Sequence, residues 1–118
     1  MATITKRVFS ASTNGRGISV TGTAATGTLI HTSVTGSTSH DEIYAYAYNS
    51  ATVSKLLTVE WARSTGQAGQ AIKFTVPPTD GLYLIIPGMP LTGGRQARAY
   101  AATASVVTIH GFVNRIVP

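Results

Sequence analysis

Tyr44, Tyr46 and Tyr48 occupy every second position of Glu42-Ile-Tyr-Ala-Tyr-Ala-Tyr48, so in an extended chain their rings share one face. A row of aromatic faces is a platform on which single-stranded nucleic acids and sugars stack. Arg98 and Tyr100, from a later segment, are residue types that would complete it. The same row suits an aromatic layer in a sandwich core or a subunit interface, with hydroxyls finding partners at the rim. Two features favour packing. The opposite face, Ile43, Ala45 and Ala47, is too small to fill a core alone, so the tyrosines are expected to carry the burial. No Lys or Arg flanks them in the segment.

The other side chains of catalytic type are dispersed. Glycoside hydrolysis needs two carboxylates facing each other across a cleft. Asp41 and Glu42 are adjacent and point to opposite faces of a strand, Glu60 alternates with apolar residues, and Asp80 sits in a turn. Turn capping and a solvated face account for all four. His31, His40 and His110 each stand alone, without metal-ligand spacing, and no G-x-S-x-G motif supplies a nucleophile; His110 reads as a core or interface side chain. Thr92-Gly-Gly-Arg95 has neither the dinucleotide-binding nor the Walker spacing and reads as a hairpin turn. With no cysteine, disulfides, thiolate metal clusters and thiol nucleophiles are excluded. The expectation is a protein that is not an enzyme and needs no cofactor or metal.

Composition narrows the partners. Nine Lys and Arg against four Asp and Glu give a net charge of +5, which suits an acidic neighbour. The basic residues are scattered singly and only 11% of residues are charged, so nucleic acid is not the expected partner. Much of the surface must then be Thr, Ser, Gly and apolar atoms, as in surfaces buried within an assembly. No apolar leader segment and no run of about eighteen apolar residues occurs, so neither secretion by a signal peptide nor a membrane span is expected.

The elements that must position these side chains read as strands throughout. The 118 residues are of single-domain size, able to bury roughly two-thirds of their unfolded surface. Residues 1–40 form a Thr/Ser/Gly-rich region, either an extended arm or edge strands, and 41–118 form the body. Asn14-Gly15 between Val8-Phe9 and Ile18-Val20 predicts a two-strand hairpin. Alternation predicts strands over Glu42–Tyr48, Lys55–Trp61 and Ile72–Val76, the last stopped by Pro77-Pro78. Leu82 to Ile86 reads as a strand covered on both faces and stopped by Pro87-Gly88. Arg95 to Ala102 reads as a strand despite its alanines, and Ser105 to Arg115 as a central strand half-buried on both faces. About eight such strands, with no amphipathic helix, predict an all-β, single-domain antiparallel sandwich, of which the jelly roll is one arrangement.

Pro78-Thr-Asp-Gly-Leu-Tyr-Leu-Ile-Ile-Pro-Gly88, Pro90-Leu-Thr-Gly-Gly-Arg95, Arg98-Ala-Tyr-Ala-Ala102 and Val107-Thr-Ile-His-Gly-Phe-Val-Asn-Arg115 together resemble small virion-associated proteins of tailed bacteriophages, as do Glu42–Tyr48 and Leu57–Trp61 before them. The resemblance implies a head protein of the capsid decoration or cement type, made in the host cytoplasm and incorporated in the virion, that binds the major capsid protein and itself as a homotrimer or homodimer. It brings no active-site residues. Alternatives are a head fibre, tail or connector component, or, from another class, a single-strand nucleic-acid or glycan-binding barrel using the tyrosine face. The residues expected at an interface are Tyr44, Tyr46, Tyr48, Arg98, Tyr100, His110, Phe112 and Arg115. Val106 to Asn114 is expected to be covered on one side by another subunit.

Overall fold

The computed structural model describes Met1 to Pro118. The chain is all-β and has no helix. Its nine strands are β1 (Thr3–Arg7), β2 (Ile18–Ser19), β3 (Thr28–Thr32), β4 (His40–Asn49), β5 (Lys55–Arg63), β6 (Gln70–Val76), β7 (Tyr83–Leu91), β8 (Gln96–Ala101) and β9 (Val107–Val117). They build a sandwich of two antiparallel sheets. Sheet A has the order β1-β9-β4-β7, with β2 also on β9, and sheet B the order β3-β8-β5-β6. Pairs β1/β2 with β9, β3 with β8, β4 with β7 and β5 with β6 make one long ribbon. The ribbon is rolled so that β4 also meets β9 and β5 also meets β8.

Strand alternation decides what the sandwich encloses. Along β4, Asp41, Ile43, Ala45, Ala47 and Asn49 are buried, while Tyr44, Tyr46 and Tyr48 are only half-buried on the outside. The expected burial of the tyrosines is therefore reversed. The small row on β4 is no obstacle, because large side chains arrive from elsewhere: Leu57, Val59 and Trp61 from β5, Ile85 and Ile86 from β7, Ile109 from β9. Each large apolar side chain so covered contributes about 1.5–3 kcal/mol. Ala97 and Ala99 of β8 lie inside with them, and the packed centre leaves only about 10 Å³ of free space, all of it apolar.

The first forty residues supply β1, β2 and β3 and the core side chains Phe9, Ile18, Val20 and Ile30. The predicted hairpin is not formed. Asn14 and Gly15 do turn the chain at φ of 55° and 86°, but β1 begins earlier, at Thr3, and both β1 and β2 pair with β9 rather than with each other. The intervening segment leaves sheet A and reaches the edge of sheet B, where Ala11 N–H donates to the Ile30 carbonyl (3.3 Å) and Thr32 N–H to Ser10 Oγ (2.7 Å). This detour seats Phe9 against Gly111, where a Cβ would lie 2.1 Å from the Tyr44 carbonyl oxygen.

The Leu82–Ile86 run also differs from expectation. From Tyr83 on it belongs to β7, the edge of sheet A, and β7 continues through Pro87 and Pro90 to Leu91. An edge strand tolerates proline because one side needs no donors. Leu82, Tyr83 and Leu84 are exposed, and only Ile85 and Ile86 are buried. A bulge between the pairs Ala45↔Ile86 and Tyr46↔Leu84 turns both isoleucines inward.

Candidate functional site

The outer face of sheet A collects five of the eight expected interface residues. β4 and β9 run antiparallel in the register Tyr44↔Phe112, Tyr46↔His110 and Tyr48↔Thr108, so the tyrosine row lies beside Phe112 and His110. Tyr44 and Phe112 stack with centroids 4.9 Å apart and planes 17° from parallel, and Lys6 Nζ sits 4.5 Å from the Phe112 centroid. Tyr44 OH donates to Glu42 Oε1 at 2.9 Å, and this bond, followed by burial, raises the tyrosine pKa. Leu84, opposite Tyr46 on β7, extends the face. Gly17 passes against the His110 ring. All of these except the exposed Leu84 and Lys6 are half-buried, and Lys6 and Glu42 mark the charged margin of a face whose middle carries no formal charge.

Arg98 and Tyr100 do not join it. They alternate with the buried Ala97, Ala99 and Ala101 and so point outward from sheet B, on the opposite side of the sandwich. The platform combining them with the tyrosines is therefore not assembled. Arg115 is elsewhere again, on the inward parity of β9 at the end of the sandwich.

There Arg115 closes a buried polar cluster. Asp41 is fully buried and accepts from Arg115 Nε (2.8 Å) and Nη2 (3.0 Å), from His31 Nε2 (2.7 Å) and from the Val34 amide (3.1 Å). His31 Nδ1 accepts the Ser10 N–H at 2.9 Å, which fixes the neutral tautomer with its proton on Nε2. Burial lowers the His31 pKa, against the pull of Asp41, and the Ser10 amide opposes protonation at Nδ1. For Asp41, burial acts to raise the pKa, but bonds from Arg115 and His31 outweigh it and hold the carboxyl below its ordinary value. Arg115 is in turn pushed up by its bond to Asp41.

No known protein family, curated protein or solved structure matches this chain. The chemistry of the two sites must speak for itself. Both ring nitrogens of His31 are occupied, and the Ser10 group facing it is a backbone amide rather than the hydroxyl, which accepts from Thr32 instead. The cluster joins β3, β4 and β9 at one corner of the sandwich. The aromatic face offers broad, weakly charged area with its hydroxyls at the surface, suited to contact.

Sequence reasoning placed Asp41 and Glu60 on solvated or capping positions, yet they are 0% and 7% exposed, and it left His31 solitary. Parity held the missing signal. Asp41 shares the inner face with Ile43, Ala45 and Ala47, and Arg115 shares one with Val113 and Ile109, so a carboxylate placed there requires a cation.

Proposed function

We propose that this chain is a structural virion protein of a tailed bacteriophage, a decoration or cement subunit that binds the major capsid protein and stabilises the shell. The observation that carries the reading is the outer face of sheet A, where Tyr44, Tyr46, Tyr48, His110, Phe112 and Leu84 form a continuous, weakly charged surface on a body whose core is already complete without it. Aromatic residues are enriched at interface centres and charges depleted there. The ribbon pairing described above supports reading the sandwich as a jelly roll, an arrangement common in viral shells. A net charge of +5 suits an acidic shell surface. Copies of the subunit associate in a closed cyclic trimer or dimer to match the shell's local axes.

One feature favours a second reading, a face for single-stranded nucleic acid or glycan: the Lys6 ammonium lies over the Phe112 ring beside the tyrosine row. Salt separates the two. Particles produced with and without the chain should differ in its presence on the shell and in resistance to heat, and attachment should persist from about 50 to 200 mM salt, whereas phosphate-led binding falls steeply over that range. Tyr46→Lys should abolish attachment while leaving the folded protein's circular dichroism and melting intact. Absence of the chain from purified particles, or single-strand binding lost on Tyr46→Ala in a folded protein, sinks the shell reading.

A further inference from the structure

The outer face of sheet B carries a second, chemically opposite feature. A hollow of about 300 Å³ lies between the β5–β6 turn and the β2–β3 loop, lined by Arg63, Arg98, Gln96, Ser64, Thr65 and Thr26, with no apolar side chain and no carboxylate in its wall. Arg98 is held ready there. Its Nε donates to the Thr26 carbonyl (3.3 Å), Nη2 to the Gly27 carbonyl (3.2 Å) and Nη1 to Gln96 Oε1 (3.0 Å), which fixes the fork and leaves N–H groups unspent.

Arg63 reaches the hollow by a backbone irregularity. Strict alternation after the inward Trp61 would send Arg63 inward too. The register instead slips between Glu60↔Arg98 and Arg63↔Gln96, so two residues of β5 oppose Ala97 alone, and Ala62 takes a φ of 60°. Such a conformation is costly for a residue with a Cβ, and bulges of this kind re-aim side chains. Here the bulge turns a second guanidinium to the outer face, level with Gln96 and beside Arg98. The turn that follows is fixed by the reciprocal Ser64 and Gln67 backbone bonds (3.1 and 3.0 Å) and by Arg95, which donates to Gln67 Oε1 and to the Ala62 carbonyl (3.3 Å). Glu60 pairs loosely with Arg63 at 3.8 Å, and Arg98 has no carboxylate within ion-pair distance.

We propose that this hollow is a binding site for a phosphate group, free or carried on a sugar. Two guanidinium groups brought together from different strands, with hydroxyls and an amide around them, supply donors on several sides of a tetrahedral oxyanion. Arg recognises phosphate through paired N–H bonds. The hollow is roomier than a lone phosphate, and its wholly polar wall suits a sugar beside it. This site is independent of the aromatic face and stands or falls separately from shell attachment.

The test is a titration of the isotope-labelled full chain with sodium phosphate near neutral pH, followed by amide resonances, with sodium chloride at matched ionic strength as reference. Phosphate should shift Thr26, Ser64, Thr65 and Gly66 saturably. Arg63→Gln should weaken binding about tenfold or more, and Lys73→Gln, which removes a cation elsewhere on the same sheet, should not. Because Arg98 also anchors the β2–β3 loop, Ser64→Asp serves as the second disruptive variant. Glucose 6-phosphate binding more tightly than phosphate supports a sugar-borne group, and equal binding supports the free anion. The proposal is overturned if shifts spread evenly over the basic residues, if chloride reproduces them, if Arg63→Gln binds as the unaltered chain does, or if neutral glucose binds as well as its phosphate.

Discussion

Asp41 and Asn49 stand near opposite ends of β4, both on its inner face and both fully buried, with Ile43, Ala45 and Ala47 between them. Each ties its end of the sandwich together. Asn49 Nδ2 donates to the carbonyls of Val53 and Val76 (3.0 Å each), and its Oδ1 accepts the Ala51 amide (2.9 Å), joining the β4–β5 turn to the end of β6. Asp41 joins β3 and β9 through His31 and Arg115. The neutral amide satisfies two acceptors and one donor with no titratable group. The carboxylate meets only donors, three of the four borne by the ionisable side chains of Arg115 and His31, so that end responds to protons and the other does not. A polar group buried in a small core can be satisfied in either way, and the choice decides which condition loosens the fold.

Replacing either residue tests the contrast. Asp41→Ala removes the acceptor for four bonds and leaves His31 buried beside an unpaired guanidinium, so unfolding in urea should show a loss of about 3–5 kcal/mol near neutral pH. The decline below about pH 3.8 should vanish with it, while the one below about pH 6.5 should deepen, because Asp41 is what pulls the His31 pKa up against burial. Asn49→Asp should lose roughly 2–3 kcal/mol near neutral pH, because a carboxylate would face two carbonyls that need donors. Its pKa would be raised in the fold, so this variant should regain stability as pH falls, opposite in sign to the native end; a variant that weakens further on acidification would refute the contrast. The smallest effect is in the unaltered protein. The folded pKa of His31 lies below its ordinary 6.5, so the unfolded chain binds more protons and stability declines as pH falls below about 6.5. Asp41, below its ordinary 3.8, adds a second decline under that value. His31→Gln should flatten the upper decline and spare the lower one, measured as the urea midpoint against pH.

The strands of the body were legible because alternation is local: Glu42–Tyr48, Lys55–Trp61 and Ile72–Val76 all fall inside β4, β5 and β6. Which face of β4 turned inward was not, because it depended on large side chains from β5, β7 and β9 that only the topology brings together. The partner of β1 was hidden for a similar reason. Asn14-Gly15 announces a turn, but β9 offers β1 and β2 a longer edge than they offer each other. Of the candidate face, Tyr44, Tyr46, Tyr48, His110 and Phe112 were readable from strand parity. Arg98 and Tyr100 were misplaced because nothing local says which sheet β8 joins. The bulge at Ala62, on which the direction of Arg63 depends, leaves no mark in the sequence at all.

Strand β9 is the common partner of β1, β2 and β4, whereas sheet B is complete once Ala101 has been made. During synthesis, then, one layer of the molecule can form complete while the facing layer has only its β4–β7 pair and lacks the strand that β1, β2 and β4 all join. Ribosome-bound chains ending before Val107 would leave the inner surface only partly covered, and arrest at successive lengths should show protease resistance arriving abruptly as β9 emerges.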